Sequence, residues 1–208
     1  MYSQNNEDDF VLEYFQGEEK TLLEIGANDG KTLSNSLLFI ENGWSAHLLE
    51  PSSKAFERIV KLHDCNKSVH LYRVAIAESS EEKVYYESGE LLGNGDLALV
   101  SSLDSNELKR WKGTVAFEPS IIICKTWADF IIANSLEKTE FNFISIDAEG
   151  YDWIILQQID LTAHNCEVLC IEWNGNVPLS DLFTEYANNH GLFEVKRNAE
   201  NIIFARKK

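Results

Sequence analysis

The chain has no excess of positive charge: 18 Lys and Arg stand against 34 Asp and Glu, a formal charge of −16. A phosphate backbone or an anionic membrane surface is repelled by that average field, so nucleic acid is not an expected partner. The basic trio Lys109, Arg110 and Lys112 beside Trp111 reads as a solvated face. Long apolar runs are missing too. Nothing approaches the roughly 18 to 20 residues of a membrane-spanning helix, and the start, MYSQNNEDDF, is polar and acidic, unlike a secretory leader. A cytoplasmic protein with no integral membrane segment is expected. Cysteine is scarce: Cys65, Cys124, Cys166 and Cys170 form no CxxC pair, and His164 beside Cys166 fits no common zinc spacing, so reduced core thiols and no metal are expected. What is present, 208 residues of which 44% are hydrophobic and 11% aromatic, suffices for one domain over 1–208 with a real core.

Periodicity divides the chain into alternating elements. A helix is predicted at the start, within residues 3–16, where Phe10, Val11, Tyr14 and Phe15 recur at helical spacing. TLLEIG, WSAHLLEP, SVHLYRVAIA, EEKVYYES, SIIICKT, FNFISIDAEG and CEVLCIEWNG read as strands, with helices over NSLLFIENG, SSKAFERIVKLHD, TWADFIIANSLE, YDWIILQQID and about 179–190. LFEVKRN and NIIFARKK read as a closing hairpin. Between about 88 and 120 the pattern dissolves into a Gly-, Ser- and Asn-rich stretch, expected to be a lid or acceptor loop. Uniformly apolar strands alternating with helices predict an α/β fold, a mostly parallel sheet covered on both faces, with the hairpin as an antiparallel edge. Ligands of such sheets sit at the carboxyl ends of strands. Three strands carry acids there: Glu50, then Asp147 and Glu149, then Glu172.

TLLEIGANDGKT, residues 21 to 32, ends in the GKT of a phosphate loop. That loop needs four residues between its glycines so that backbone amides can wrap a phosphate. Gly26 and Gly30 enclose three, and Glu24 stands where a polyphosphate would be repelled. The GxGxxG of a dinucleotide dehydrogenase is missing as well. A nucleoside carrying an amino acid suits the turn better: Gly26 lets the backbone approach closely, Glu24 or Asp29 can meet an ammonium, and Glu50 can accept both ribose hydroxyls. Ala75 with Ile76 can flank an adenine. A donor with an ammonium and a sulfonium suits so acidic a site.

These residues resemble a known family. EIGANDG, LLEP at 48 to 51, SS at 101 and 102, CKTWADFI, SIDAEGYDWIILQQID and the strand-end IE at 171 and 172 look like the FkbM family of S-adenosylmethionine-dependent methyltransferases, and SQNNEDDF resembles its frequent SQxxED opening. Ser145 and Trp127–Ala128 depart from residues frequent there. The resemblance implies a class I, Rossmann-like fold with a doubly wound seven-stranded sheet, and O-methylation of a hydroxyl on a sugar, glycan or similar small acceptor. It implies that Glu24, Gly26, Ala27, Asn28 and Gly30 bind the methionyl part of S-adenosylmethionine and Glu50, next to Pro51, the ribose; Ala75 and Ser102 complete the expected donor site. An acceptor alcohol must lose a proton, and Asp147 is the expected base, with Glu149 and Glu172 as alternatives. Two other readings stay open: a P-loop-like nucleotide-binding NTPase, and a module that binds S-adenosylmethionine without transferring its methyl.

Overall fold

The computed structural model describes residues 2–91, 93 and 98–208; residues 92 and 94–97 of the expected lid lie outside them. In chain order the elements are α1 (Glu7–Phe15), β1 (Thr21–Ile25), α2 (Leu37–Glu41), β2 (Ser45–Leu49), α3 (Ser53–His63), β3 (Val69–Tyr72), β4 (Ala75–Ile76), β5 (Glu82–Ser88), α4 (Glu107–Arg110), β6 (Phe117–Lys125), α5 (Trp127–Ala133), β7 (Phe143–Ile146), α6 (Asp152–Leu156), β8 (Val168–Glu172), α7 (Val177–Asn189), β9 (Phe193–Arg197) and β10 (Asn201–Ala205). Seven strands form one sheet in the order β3-β2-β1-β7-β8-β10-β9. The first five run parallel, and β10 pairs antiparallel with both β8 and β9, which is the expected hairpin edge.

The sheet is buried on both faces because its strands send apolar residues alternately to either side. Leu23, Ile25, Ile144, Ile146, Leu169 and Ile171 pack on one face against α5, α6 and α7. Leu22, Phe143, Val168 and Cys170 pack on the other with Val11 and Phe15 of α1, Phe39 of α2 and Ile59 of α3. Side chains fix where several helices begin: Ser52, Thr126 and Asn176 each accept a hydrogen bond from a backbone amide in the first turn of α3, α5 and α7.

EEKVYYES and SIIICKT stand apart from this sheet. They pair antiparallel as β5 and β6, and β6 takes the two residues of β4 as a third, parallel strand. Their burial explains the separation: Ile122 and Cys124 face Ala75, Ala77 and Tyr85, while Ile121 and Ile123 on the opposite side are 63% and 53% exposed. One covered face suffices for a small ribbon. SVHLYRVAIA is accordingly not one strand, since β3 lies in the main sheet and β4 in the small one. Among the described residues no helix is long and apolar enough to cross a membrane.

The start of the chain is strapped to the β9–β10 turn through buried carboxylates. Glu7, 0% exposed, accepts hydrogen bonds from the Asn5 amide (2.8 Å), Asn198 Nδ2 (2.7 Å) and Asn201 Nδ2 (3.0 Å). Asp8 accepts from Ser3 Oγ (2.6 Å) and from the amides of Tyr2 and Ser3. Burial alone would raise both acids, but these donors outweigh it and hold both carboxyls below their ordinary values. Glu7→Ala strands several buried amide donors and should destabilise the protein by about 3 kcal/mol in denaturant unfolding. A loss within about 0.5 kcal/mol of zero would show that the strap contributes nothing.

Candidate active site

The site starts where β1 ends. Gly26 adopts φ +89°, and a Cβ there would lie 1.7 Å from the Asp147 carbonyl oxygen. The Asp147 amide donates to the Ile25 carbonyl (3.0 Å), so the turn after β1 and the end of β7 are locked backbone to backbone. The Gly26 and Ala27 amides both donate to the Leu49 carbonyl at 3.0 Å, which ties in the end of β2. Asn28, with φ +47°, donates its amide to Glu50 Oε2 (2.9 Å), and Ser52 donates its amide to Glu50 Oε1 (2.7 Å). Three adjacent strand ends are thus fastened around one short turn.

A cavity of about 420 Å³ opens over this turn. Glu24, Gly26, Ala27, Asn28, Glu50, Pro51 and Ala75 line one part of it; Asp147, Glu149 and Glu172 line another. Gly30 and Ser102 are not in the wall. Gly30, at φ +74°, is where α3 presses on the turn, since a Cβ there would meet Ile59 Cγ1 at 2.6 Å. Ser102 donates its Oγ to the Glu149 carbonyl (2.6 Å) and so positions the acid loop, while its neighbour Ser101 reaches the cavity. Asp29 is occupied by the Lys31 and Thr32 amides of its own turn. Glu24 is different. Its Oε1 accepts the Asn35 amide (3.1 Å), and its Oε2 is buried with no hydrogen-bond partner.

Carboxylates crowd this cavity, and their protons record it. Burial pushes Glu24 and Glu50 up to about 7 against the hydrogen bonds they accept. Asp147 is raised to about 7 by burial and then by Asp152, Glu24 and Glu7, with Arg110 opposing. Glu149 and Glu172 stand well above their ordinary range through burial and then the charge of Asp147. Asp147, Glu149 and Glu172 each offer an oxygen within 4.8 Å of the others. Such a group can share a proton or hold a hard cation.

Several wall residues carry no sequence signature. Arg110 is exposed, as a solvated face requires, yet it also edges the cavity: α4 sets it three residues from Glu107, and its Nη1 is 3.1 Å from Glu107 Oε2 and 3.8 Å from Glu149 Oε2. Tyr85 enters from β5, Gln4 from the strap and Asn201 from the start of β10. The histidines and thiols stay outside. His164 accepts the Trp127 indole N–H (3.3 Å) on Nε2, and all four cysteines are free.

The family model described as the methyltransferase FkbM domain matches residues 24–191, from the buried acid of β1 through α7. The chain belongs to the FkbM methyltransferase family. Solved structures agree in fold. The FkbM methyltransferase of Methylobacillus flagellatus superposes with TM-score 0.53 at 14% identity over 91% of this chain and 44% of that one. The Pyrococcus horikoshii protein PH1948 gives 0.52 at 9% over 97% and 83%, and the methyltransferase domain of METTL16 gives 0.52 at 10% over 97% and 66%. This FkbM domain thus spans under half the length of the Methylobacillus protein. A comparison with curated proteins finds no match. Its class I, Rossmann-like fold is that of enzymes whose cofactor is S-adenosylmethionine, and the site fits that donor: Glu24 offers an unpartnered buried oxygen, and Gly26 leaves the backbone bare where a side chain would collide. The phosphate-loop reading fails on the same geometry, for Lys31 of GKT is exposed and outside the cavity wall.

Two outcomes follow for the FkbM domain without ligand. Gly26→Ala should abolish S-adenosylhomocysteine binding in calorimetry, because the turn must move off Asp147; retained affinity would contradict that contact. Glu24, Glu50 and Asp147 bind more protons folded than unfolded between their ordinary values, roughly 4, and their raised ones. Their contribution is therefore complete below about pH 4 and lost as pH rises through about 7, so the melting temperature should fall from about pH 5 to about pH 8. A rise across that window would overturn the assignment.

Proposed function

We propose that this FkbM domain O-methylates a hydroxyl of a sugar, glycan or similar small acceptor, with Asp147 as the base. The observation that carries the reading is the backbone contact between Gly26 and Asp147. It holds a carboxyl with a pKa near 7 beside the donor turn, within one cavity.

When bound, S-adenosylmethionine supplies a methyl group on a positively charged sulfur. The chain's own residues do the rest. Glu24 receives the donor's ammonium on its free oxygen, and Glu50, held by the Asn28 and Ser52 amides, receives the ribose hydroxyls. Asp147 takes the proton of the acceptor hydroxyl, a task favoured by a pKa near the working pH. Glu149 and Glu172 share the charge and can relay that proton. Val100, Ser101 and Trp111 of the long segment before β6 wall the cavity, and we assign that segment to excluding water during transfer. Residues 1–208 act as one domain in this reading. A cytoplasmic setting is part of this reading, supported by free thiols of which three are buried.

Asp147→Asn should lower kcat about 10²- to 10⁴-fold in a labelled methyl-transfer screen over sugars and glycolipids, while S-adenosylhomocysteine affinity holds. In the wild type kcat/KM for S-adenosylmethionine should rise with pH and level off above about 7, where Asp147 of the free protein is ionised. Unchanged turnover in the variant would remove Asp147 from the role. Donor binding without transfer to any hydroxylated acceptor would leave a binding module.

A further inference from the structure

The rim of the main sheet serves as a ruler. Neighbouring strands lie about 4.8 Å apart, so the four steps from β2 to β10 span roughly 19 Å. The residues assigned to the donor end β2 (Glu50) and lie on and just after β1 (Glu24, Gly26), and Asp147 ends β7. Whatever occupies the cavity over β8 and β10 therefore lies beyond the transferring methyl.

The wall on that side is formed by Gln4, Glu172, Asn174, Glu200 and Asn201. Every one is an amide or a carboxylate. The one cation among the lining residues, Arg110, stands against Glu107 and Glu149. Elaborate anchoring holds this wall. Trp173 and Asn174 donate their amides to the Glu200 carbonyl (2.8 and 3.2 Å), and Asn5 Nδ2 donates to Glu200 Oε2 (3.0 Å). Ser3 and Asn5 are gripped by Asp8 and Glu7, 1% and 0% exposed, and Lys196 Nζ donates to the Asn6 carbonyl (3.0 Å). Between those gripped neighbours Gln4 is exposed, and its amide makes no hydrogen bond among the described residues. Two buried carboxylates thus hold fast a segment whose Gln4 side chain edges the cavity.

Resting on the methyltransferase reading above, we propose that Gln4, Asn174 and Glu200 form the subsite that reads the acceptor, and that they select a neutral, hydroxyl-rich molecule over an anionic one. Amides both donate to and accept from hydroxyls, and Glu172 and Glu200 accept their protons. An apolar acceptor leaves these groups unpaired, and a carboxylate or phosphate meets five lining residues that include two carboxyls and no cation, the nearby Lys196 and Arg197 being engaged by the Asn6 carbonyl and Glu194.

The probes are the methyl glycosides of glucose, galactose, mannose and rhamnose, set against methyl glucuronoside. Saturation-transfer NMR with S-adenosylhomocysteine present reads binding, and labelled methyl transfer reads turnover. At least one neutral glycoside should bind and be methylated, with the glucuronoside at least tenfold weaker. Gln4→Ala, an exposed change that leaves the fold intact, should raise the glycoside KM severalfold while kcat and S-adenosylhomocysteine affinity stay put. Glu200→Gln, which retains an oxygen for Asn5, should narrow the gap between glucoside and glucuronoside. Glucuronoside binding as tightly as glucoside, or an unchanged KM in Gln4→Ala, overturns the proposal. So does donor binding with no glycoside signal at all. Absence of donor binding in the wild type overturns the methyltransferase reading as well, which separates the two failures.

Discussion

The packing of Gly26 against the carbonyl of Asp147 is the constraint on which the rest depends. Two parallel strands far apart in sequence, β1 and β7, end side by side, and only a residue without a Cβ lets the turn after one lie on the end of the other. From that contact follow the bare backbone of the turn after β1 and the position of Asp147 beside it. The Leu49 carbonyl adds β2 by accepting two amides of the same turn, which brings Glu50 within reach of Asn28. A site assembled from strand ends inherits the stiffness of the sheet.

Electrostatics gives this geometry its direction. Six carboxylates line the cavity and Arg110 is the lining cation; burial, joined by repulsion at Glu50 and Asp147, leaves Glu24, Glu50 and Asp147 each with a pKa near 7. Folding an uncompensated cluster costs free energy, which makes the empty protein the less satisfied state. A cationic donor relieves the repulsion, and the same charges that destabilise the apo form favour its binding. Glu7 and Asp8 show the contrast: also buried, they are supplied with donors and lie below their ordinary values.

Much of this was legible in the residues. β1, β2, β7 and β8 are buried on both faces, so they read as unbroken apolar runs, and their terminal acids stood out as polar groups at predictable places. The spacing of Gly26 and Gly30 alone argues against a phosphate loop. Other features depend on long-range pairing that leaves no periodic trace. β4 is two residues long and exists only because β6, some fifty residues on, pairs with it. Arg110 is as exposed as the local charge pattern implies, but its approach to Glu149, nearly forty residues on, leaves no trace in that pattern. Gln4 and Asn201 meet at the cavity across nearly the whole chain, and nothing in SQNNED alone points to a cavity wall. Asp29 and Glu24 were equivalent candidates for an ammonium until the hydrogen bonds of the turn consumed Asp29. Ser102 resembles its neighbour Ser101 in sequence, yet it props the Glu149 loop from behind.

The central claim is that a cluster of proton-sharing acids around a tight turn receives a positively charged methyl carrier. Calorimetric titration of S-adenosylmethionine near pH 6.5, repeated in buffers of different ionisation enthalpy, counts the protons exchanged on binding. The account predicts a net release of protons as Glu24 and Asp147 ionise beside the incoming charge, larger than with S-adenosylhomocysteine, which lacks the sulfonium. Binding with no proton release, or no binding, would contradict it.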